Sequence, residues 1–231
     1  MVTTRSASKA ASPAAPSPSR SPIAASASTT TATTALSWAH APSRATLWWL
    51  LISLPLVVWD SVYVLFRPWT MEGGPLHWPL YVPYRKYGEV DHVYGWQAFE
   101  ARNGFTSAQG SLNVVETAMY CLYLYLYYTA GVRVARSSST KVLTGRPAAV
   151  AVLTVFSASV MTLSKTVLYW LQEFFSDFEH VGHNNLYDLI VIWIIPNGFW
   201  LIFPTYIIYT LWGEIVDGLT IASTGVPIKS E

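Results

Sequence analysis

The sequence predicts an all-α fold, a polytopic membrane bundle of four transmembrane helices. Three observations predict it. The chain of 231 residues is 52% hydrophobic and only 12% charged, whereas soluble domains carry roughly 25% charged residues. Four apolar stretches, 45–66, 112–132, 147–174 and 186–212, each reach the roughly 20 residues that a helix needs to cross the hydrocarbon. Closed barrels need shorter alternating segments, which this chain does not show. Tryptophans and tyrosines (Trp48, Trp49, Trp69, Tyr127, Tyr128, Trp170, Trp212) gather near the ends of these stretches, as interfacial belts do.

Residues 1–44 are rich in Ser, Ala, Thr and Pro, with Arg5, Lys9, Arg20 and Arg44 and no acid. Such a segment buries too little apolar surface to order itself and is expected to be a disordered tail. A basic, Ser-rich, acid-poor composition also fits an organelle transit peptide, and that alternative stays open. No apolar core near Met1 suggests a cleavable secretory signal. The membrane part is expected to occupy 45–213, followed by a short tail at 214–231. A net charge of +1 gives no electrostatic footprint for nucleic acid.

The first span contains PLVVWDSVYVLFR, with Asp60 in the middle of the apolar run. An ionisable residue at that depth is costly and faces a bundle interior or a polar cavity. Loop 67–110 follows, long for a compact bundle and rich in Trp, Tyr and Pro. Loops of this length are functional or disordered, and the aromatic content argues against disorder. Its YRKYGEVDHVYGW reads as an interfacial helix or a lid, with Asp91 a cap or an exposed charge. In the second span, SLNVVETAMYCLYLYLYY, Asn113, Glu116 or Thr117, and Tyr120 recur every three to four residues, followed by Tyr123 or Leu124 and Tyr127. They share one helical stripe, and a stripe headed by a carboxylate implies a polar or cationic neighbour, with Asp60 the candidate. The single Cys121 cannot form an intrachain disulfide and reads as a small packing residue.

The connector RVARSSSTKVLTGR carries four basic residues and no acid, while SDFEHVGHNN is acidic. The positive-inside rule puts the amino terminus and 133–146 in the cytoplasm, and four spans return the carboxyl terminus there. In the third span, Lys165 reads as an ion-pair partner of Asp60 or Glu116, or as a snorkelling side chain. Glu173 is expected in solvent at the lumenal interface. The fourth span holds WIIPNGFWLIFP. Pro196 and Pro204 each remove a helix hydrogen bond, while Asn197 and Trp200, three apart, look toward one cavity. Whether Asn197 binds a ligand or joins helices stays open. His77, His92, His180 and His183 fall in loops. HVGH has metal-compatible spacing but no third ligand, so no metal is expected.

These stretches together resemble the EXPERA membrane domain, the family of the sterol delta-8,delta-7 isomerase (emopamil-binding protein) and the sigma-2 receptor, over residues 45–213. DSVYVLF from Asp60 is similar to the acidic segment of the family's first span. YGEVDHVY around Asp91 resembles its Tyr-x-x-x-Asp-x-x-Tyr motif, and Glu116 in NVVET falls at the second intramembrane acid. Asn197 and Trp200 match an Asn-x-x-Trp-Leu-x-x-Pro signature.

The resemblance implies an endoplasmic reticulum protein with a sterol-shaped cavity open to the membrane. It also implies cofactor-free isomerisation of a ring double bond through a carbocation. Asp60 and Glu116 are then the catalytic pair, with Asn113, Tyr120, Asp91, Asn197 and Trp200 the substrate contacts. An acid in an apolar cavity holds its proton for donation, and Trp200 offers the cation its π face. Where the isomerases carry a histidine one turn before the first acid, this chain has Leu56. That departure keeps two alternatives in play: a non-catalytic sterol binder, and a terpenoid isomerase or cyclase. The expected partners are a sterol or terpenoid lipid and the membrane, with a homodimer left open.

Overall fold

The computed structural model describes residues 38–133 and 141–225; most of the tail expected at 1–44, the end of the tail expected at 214–231 and part of the basic connector lie outside them, while 214–224 continue the last helix. In chain order the elements are β1 (Ala39–His40), α1 (Arg44–Leu65), α2 (Pro83–Val90), α3 (Trp96–Glu100), α4 (Phe105–Ala130), β2 (Val132–Arg133), β3 (Lys141–Thr144) and α5 (Gly145–Phe175). A last continuous run comprises α6 (Leu186–Asp188), a π-helical turn (Leu189–Ile194) and α7 (Ile195–Thr224). The fold is mainly helical, as expected.

Three of these helical runs, Arg44–Leu65, Gly145–Phe175 and Leu186–Thr224, are long and apolar enough to cross a membrane. They mark the chain as membrane-embedded. Helix α4, with 26 residues, is longer than α1, but its inward stripe of Thr106, Gly110, Glu116, Tyr120, Tyr123 and Tyr127 makes it less apolar overall. From Glu116 to Tyr127 it is the stripe read from the sequence, while Asn113, expected on it, is only half-buried. The stripe's position explains the composition, because α4 packs between α1 and α5 while α5 also packs on α7.

Local chemistry sets the helix ends. The Ser43 hydroxyl accepts a hydrogen bond from the Thr46 amide and caps α1. The Asn185 side chain does the same for Asp188 at the head of α6. Helix α7 runs past the expected Trp212 to Gly225, whose left-handed φ of 65° ends it.

The sequence does not foresee a small antiparallel sheet in the order β1–β3–β2, with Ala39 opposite Thr144 and Val132 opposite Val142. Strands of two to four residues are too short to display periodicity. The sheet also draws residues 38–43, grouped with the tail in the sequence, into the fold. His40 is buried between Glu214 (Nδ1 to Oε2, 2.6 Å) and the Tyr123 hydroxyl (Nε2 to Oη, 2.9 Å), and Trp38 donates to the Glu214 carbonyl.

The dry core lies at this sheet end. Trp49, Leu50, Tyr123, Tyr127, Val152, Val155, Ile207 and Leu211 pack there against Ala148, Ala151 and Ala158 of α5. Small residues let helices approach closely in an apolar medium. Trp49 stacks on Phe203 with ring centroids 4.4 Å apart and meets Trp200 edge-on at 5.1 Å. Toward the other end the bundle opens and the α1–α4 connector covers it.

Candidate functional site

At that end lies a cavity of about 560 Å³, within the usual range for ligand pockets. Leu56, Val57 and Asp60 of α1 line one side, Gln109 and Asn113 of α4 and Lys165 and Tyr169 of α5 the floor. Ile192, Pro196, Asn197 and Trp200 form the side opposite, and Tyr84, Tyr87 and Tyr94 the lid.

Asp60 is the acid that opens into it. Its Oδ1 accepts from the Tyr84 hydroxyl at 2.8 Å, and its Oδ2 from Tyr94 at 3.4 Å and from the Asn113 amide at 3.5 Å. The two Oδ2 contacts are long, so that oxygen keeps accepting capacity toward the cavity. Burial and the Asp60 charge hold the Tyr84 and Tyr94 hydroxyls above the ordinary tyrosine range, so both remain donors. The lid therefore recognises the carboxylate through two O–H groups.

Glu116 occupies a different position from the one expected. Its carboxylate takes both oxygens to the Lys165 ammonium at 2.9 and 3.0 Å and accepts from Thr162 at 2.8 Å. It is buried behind Lys165, and Lys165 rather than Glu116 presents to the cavity. Asn113 joins the two acids: its Oδ1 accepts from Lys165 while its Nδ2 donates to Asp60. Asp60 and Glu116 thus belong to one network, with a cation and an amide between them. Of the two readings of Lys165, the ion pair with Glu116 is the one observed.

Asn197 and Trp200 line the cavity as expected. The Asn197 amide also donates to the Trp193 carbonyl at 2.8 Å, one turn back, so it serves the helix and the cavity at once. The π-helical turn just before Pro196 sets this register; such turns recur at functional sites. Tyr120 stands one layer away, its hydroxyl on Ser159 and Thr162 at 3.3 and 3.2 Å, where it supports the acceptor network of Glu116 rather than the wall.

Asp91 departs most from expectation. It is fully buried and neither caps a helix with its side chain nor meets solvent. Its oxygens accept from the Tyr169 hydroxyl, the Trp193 indole at 2.9 Å and the Val93 amide at 3.1 Å. It fastens the lid to α5 and to the head of the last helical run. Burial raises its pKa to about 6, opposed by those hydrogen bonds. Glu173, expected in solvent, is buried too and holds His180 Nδ1 at 2.9 Å. HVGH serves the lid in the same way: His183 bonds the Glu89 carbonyl and stacks on His92 at 3.9 Å. Among the described residues no group of His, Cys, Asp and Glu could hold a metal ion.

Of the lid tyrosines, Tyr87 and Tyr94 are the two in the Tyr-x-x-x-Asp-x-x-Tyr stretch around Asp91, whereas Tyr84, which donates to Asp60, lies outside it. The one visible signal for Tyr84 was the recurrence YVPYRKYGEVDHVY, and α2 does place Tyr84 and Tyr87 three apart on its inner face.

Compared with known proteins, the chain matches no family model, no curated protein and no solved structure.

Proposed function

We propose that this chain is a membrane-embedded isomerase of the EXPERA type that shifts a ring double bond in a sterol or sterol-like terpenoid. The observation that carries the reading is the Asp60 carboxyl opening into an apolar cavity that also holds Trp200 and Asn197. The protonated Asp60 gives its proton to one alkene carbon, and the π electrons form the new C–H bond. The carboxylate left behind accepts from Tyr84, Tyr94 and Asn113 and lies beside the carbocation. Trp200 adds a cation–π contact worth about 2 kcal/mol when desolvated. A proton then leaves the neighbouring ring carbon to the same carboxylate, and the C–H electrons form the displaced double bond. Atoms and electrons balance without a cofactor. Glu116 acts at one remove, fixing Lys165 and through it Asn113.

In this reading all four long helical runs cross the endoplasmic reticulum membrane, with both termini cytoplasmic. The test is complementation of a cell lacking sterol delta-8,delta-7 isomerase, read by sterol analysis, with Asp60→Asn as the paired variant. Delta-7 sterols appear with the native chain and vanish with Asp60→Asn, although the variant still folds. Full activity of Asp60→Asn sinks the role.

Two observations favour a second reading, a non-catalytic sterol binder. Leu56 lines the cavity where the isomerases carry histidine, and Glu116 is already neutralised by Lys165. That reading predicts crosslinking to a sterol photoprobe and an unchanged sterol profile on gene deletion; accumulation of delta-8 sterols excludes it.

A further inference from the structure

The segment between α1 and α2 is apolar where a water-facing loop would be polar. Over residues 68–82, PWTMEGGPLHWPLYV, the one formally charged side chain is Glu72, which is paired with Arg85 of α2 at 3.2 Å. Its large apolar side chains are turned outward: Trp78 is 79% exposed, Leu80 65%, Trp69 56% and Leu76 47%. Large apolar side chains exposed together on one short segment mark an interaction site.

The display is built rather than loose. The Thr70 hydroxyl donates to the Tyr63 carbonyl at 2.6 Å, His77 Nδ1 donates to the Thr70 carbonyl at 3.0 Å, and the Leu76 amide bonds Trp69 at 2.9 Å. Met71 points the other way and is buried against Tyr63 and Tyr81. The inner face of the loop thus packs on α1, and the outer face is left to the surroundings.

Position identifies those surroundings. Helix α1, long and apolar enough to span a bilayer, ends at Leu65, so the next residues lie where hydrocarbon meets headgroups. Tryptophan is enriched at that depth. The end of α5 exposes Phe174 and Phe175 at the same end, and the α5–α6 connector, tied to the lid by the His92 amide on the His180 carbonyl at 3.2 Å, exposes Phe178.

We propose that residues 66–82 form an interfacial anchor, with Trp69, Leu76, Trp78 and Leu80 seated in the headgroup–acyl boundary of the leaflet at the lid end. The partner is the lipid bilayer itself. The anchor also shapes the cavity, because Trp59, part of its wall, donates from its indole to the Leu80 carbonyl at 3.0 Å and stacks on Tyr81. Seating the loop in lipid holds the cavity mouth at the depth from which an amphiphile would enter. The inference rests on the chain being membrane-embedded, and the experiment separates the two.

In a Cys121→Ser background of the full chain, single cysteines replace Trp78, Leu80, Glu89 and Ile52 in turn. Each carries a polarity-sensitive fluorophore, and the protein is reconstituted in phosphatidylcholine nanodiscs with lipids spin-labelled at shallow or deep positions. Labels at 78 and 80 emit to the blue of the label at Glu89, on α2, and are quenched by shallow lipids more than by deep ones. The label at Ile52, an exposed site within α1, is quenched by deep lipids. Water-like emission at 78 and 80, with Ile52 still in lipid, overturns the anchor alone. Water-like emission at all sites overturns the spanning reading and the anchor together.

Discussion

At the scale of single residues, the site is organised by where two carboxylates find their partners. Asp60 meets only neutral donors, whereas Glu116 meets a full positive charge that is itself buried. Removing one member of a buried pair leaves an uncompensated charge, which costs about 3–5 kcal/mol. Lys165→Met is therefore expected to destabilise the protein on that order, measured by thermal unfolding in detergent. The double variant with Glu116→Gln should recover much of the loss, since no net charge then stays behind. A Lys165→Met protein as stable as the native one would show that the pair carries no charge balance. Residue identity announced part of this. Asp60, Asn113, Asn197 and Trp200 were legible because polar or bulky groups interrupt apolar runs. The ion pair of Lys165 was legible too, but only as a choice between Asp60 and Glu116, since packing alone decides which position on another helix becomes the neighbour.

Among the elements, the lid contains most of what sequence reasoning missed. Its contacts are long-range: Tyr84 and Tyr94 reach Asp60 on α1, Asp91 reaches Tyr169 and Trp193, and Asn184 donates to the Val90 carbonyl. None of these leaves a period in the sequence, whereas the four long helices did so through length and hydropathy. Helix α2 also approaches the head of α3 so closely that a Cβ on Gly95 would stand 2.7 Å from the Gly88 carbonyl oxygen, a reason for glycine visible only in three dimensions. Asp91 gives the lid a pH dependence. Its folded pKa of about 6 exceeds the ordinary 3.8, so the fold binds this proton more tightly than the unfolded chain does. The contribution is fully present below about pH 4 and is lost as pH rises through 6, for a difference of roughly 3 kcal/mol. Nearby Glu173 shares the sign of this effect by raising Asp91. His92 opposes it, because burial and then His183 and His180 lower its pKa. Comparison with Asp91→Asn isolates the carboxyl. Between pH 7 and pH 4.5 the native protein should gain melting temperature relative to the variant, and parallel pH profiles for the two would refute the assignment.

For the whole molecule, the two ends of the bundle are chemically distinct, and the chain's course through it follows from which segments meet at each. β1 pairs with β3, β2 extends the same sheet, and His40 reaches Glu214 near the end of the last helical run. The start of the described chain, the α4–α5 connector and the end of α7 therefore share one end. The 66–104 segment and the α5–α6 connector share the other, joined by His92 on His180 and Asn184 on Val90.

The sheet end carries Arg44, Arg133, Lys141 and Arg146 beside Glu214 and Asp217, and the lid end carries Glu72, Glu89, Glu100, Asp177, Glu179 and Asp188 beside Arg85, Lys86 and Arg102. Positive charge near span ends stays on the cytoplasmic side, so four crossings would put the sheet end in the cytoplasm. The prediction is best tested in sealed microsomes, again with Cys121→Ser as background. Cysteines at Arg133 and Asp217, both exposed at the sheet end, should react with a membrane-impermeant maleimide in intact vesicles. A cysteine at Glu89 should react only after detergent opens them. Should Arg133 and Asp217 label from opposite faces, α5 and the last helical run would not both cross, and the lid would no longer close a cavity buried in the bilayer.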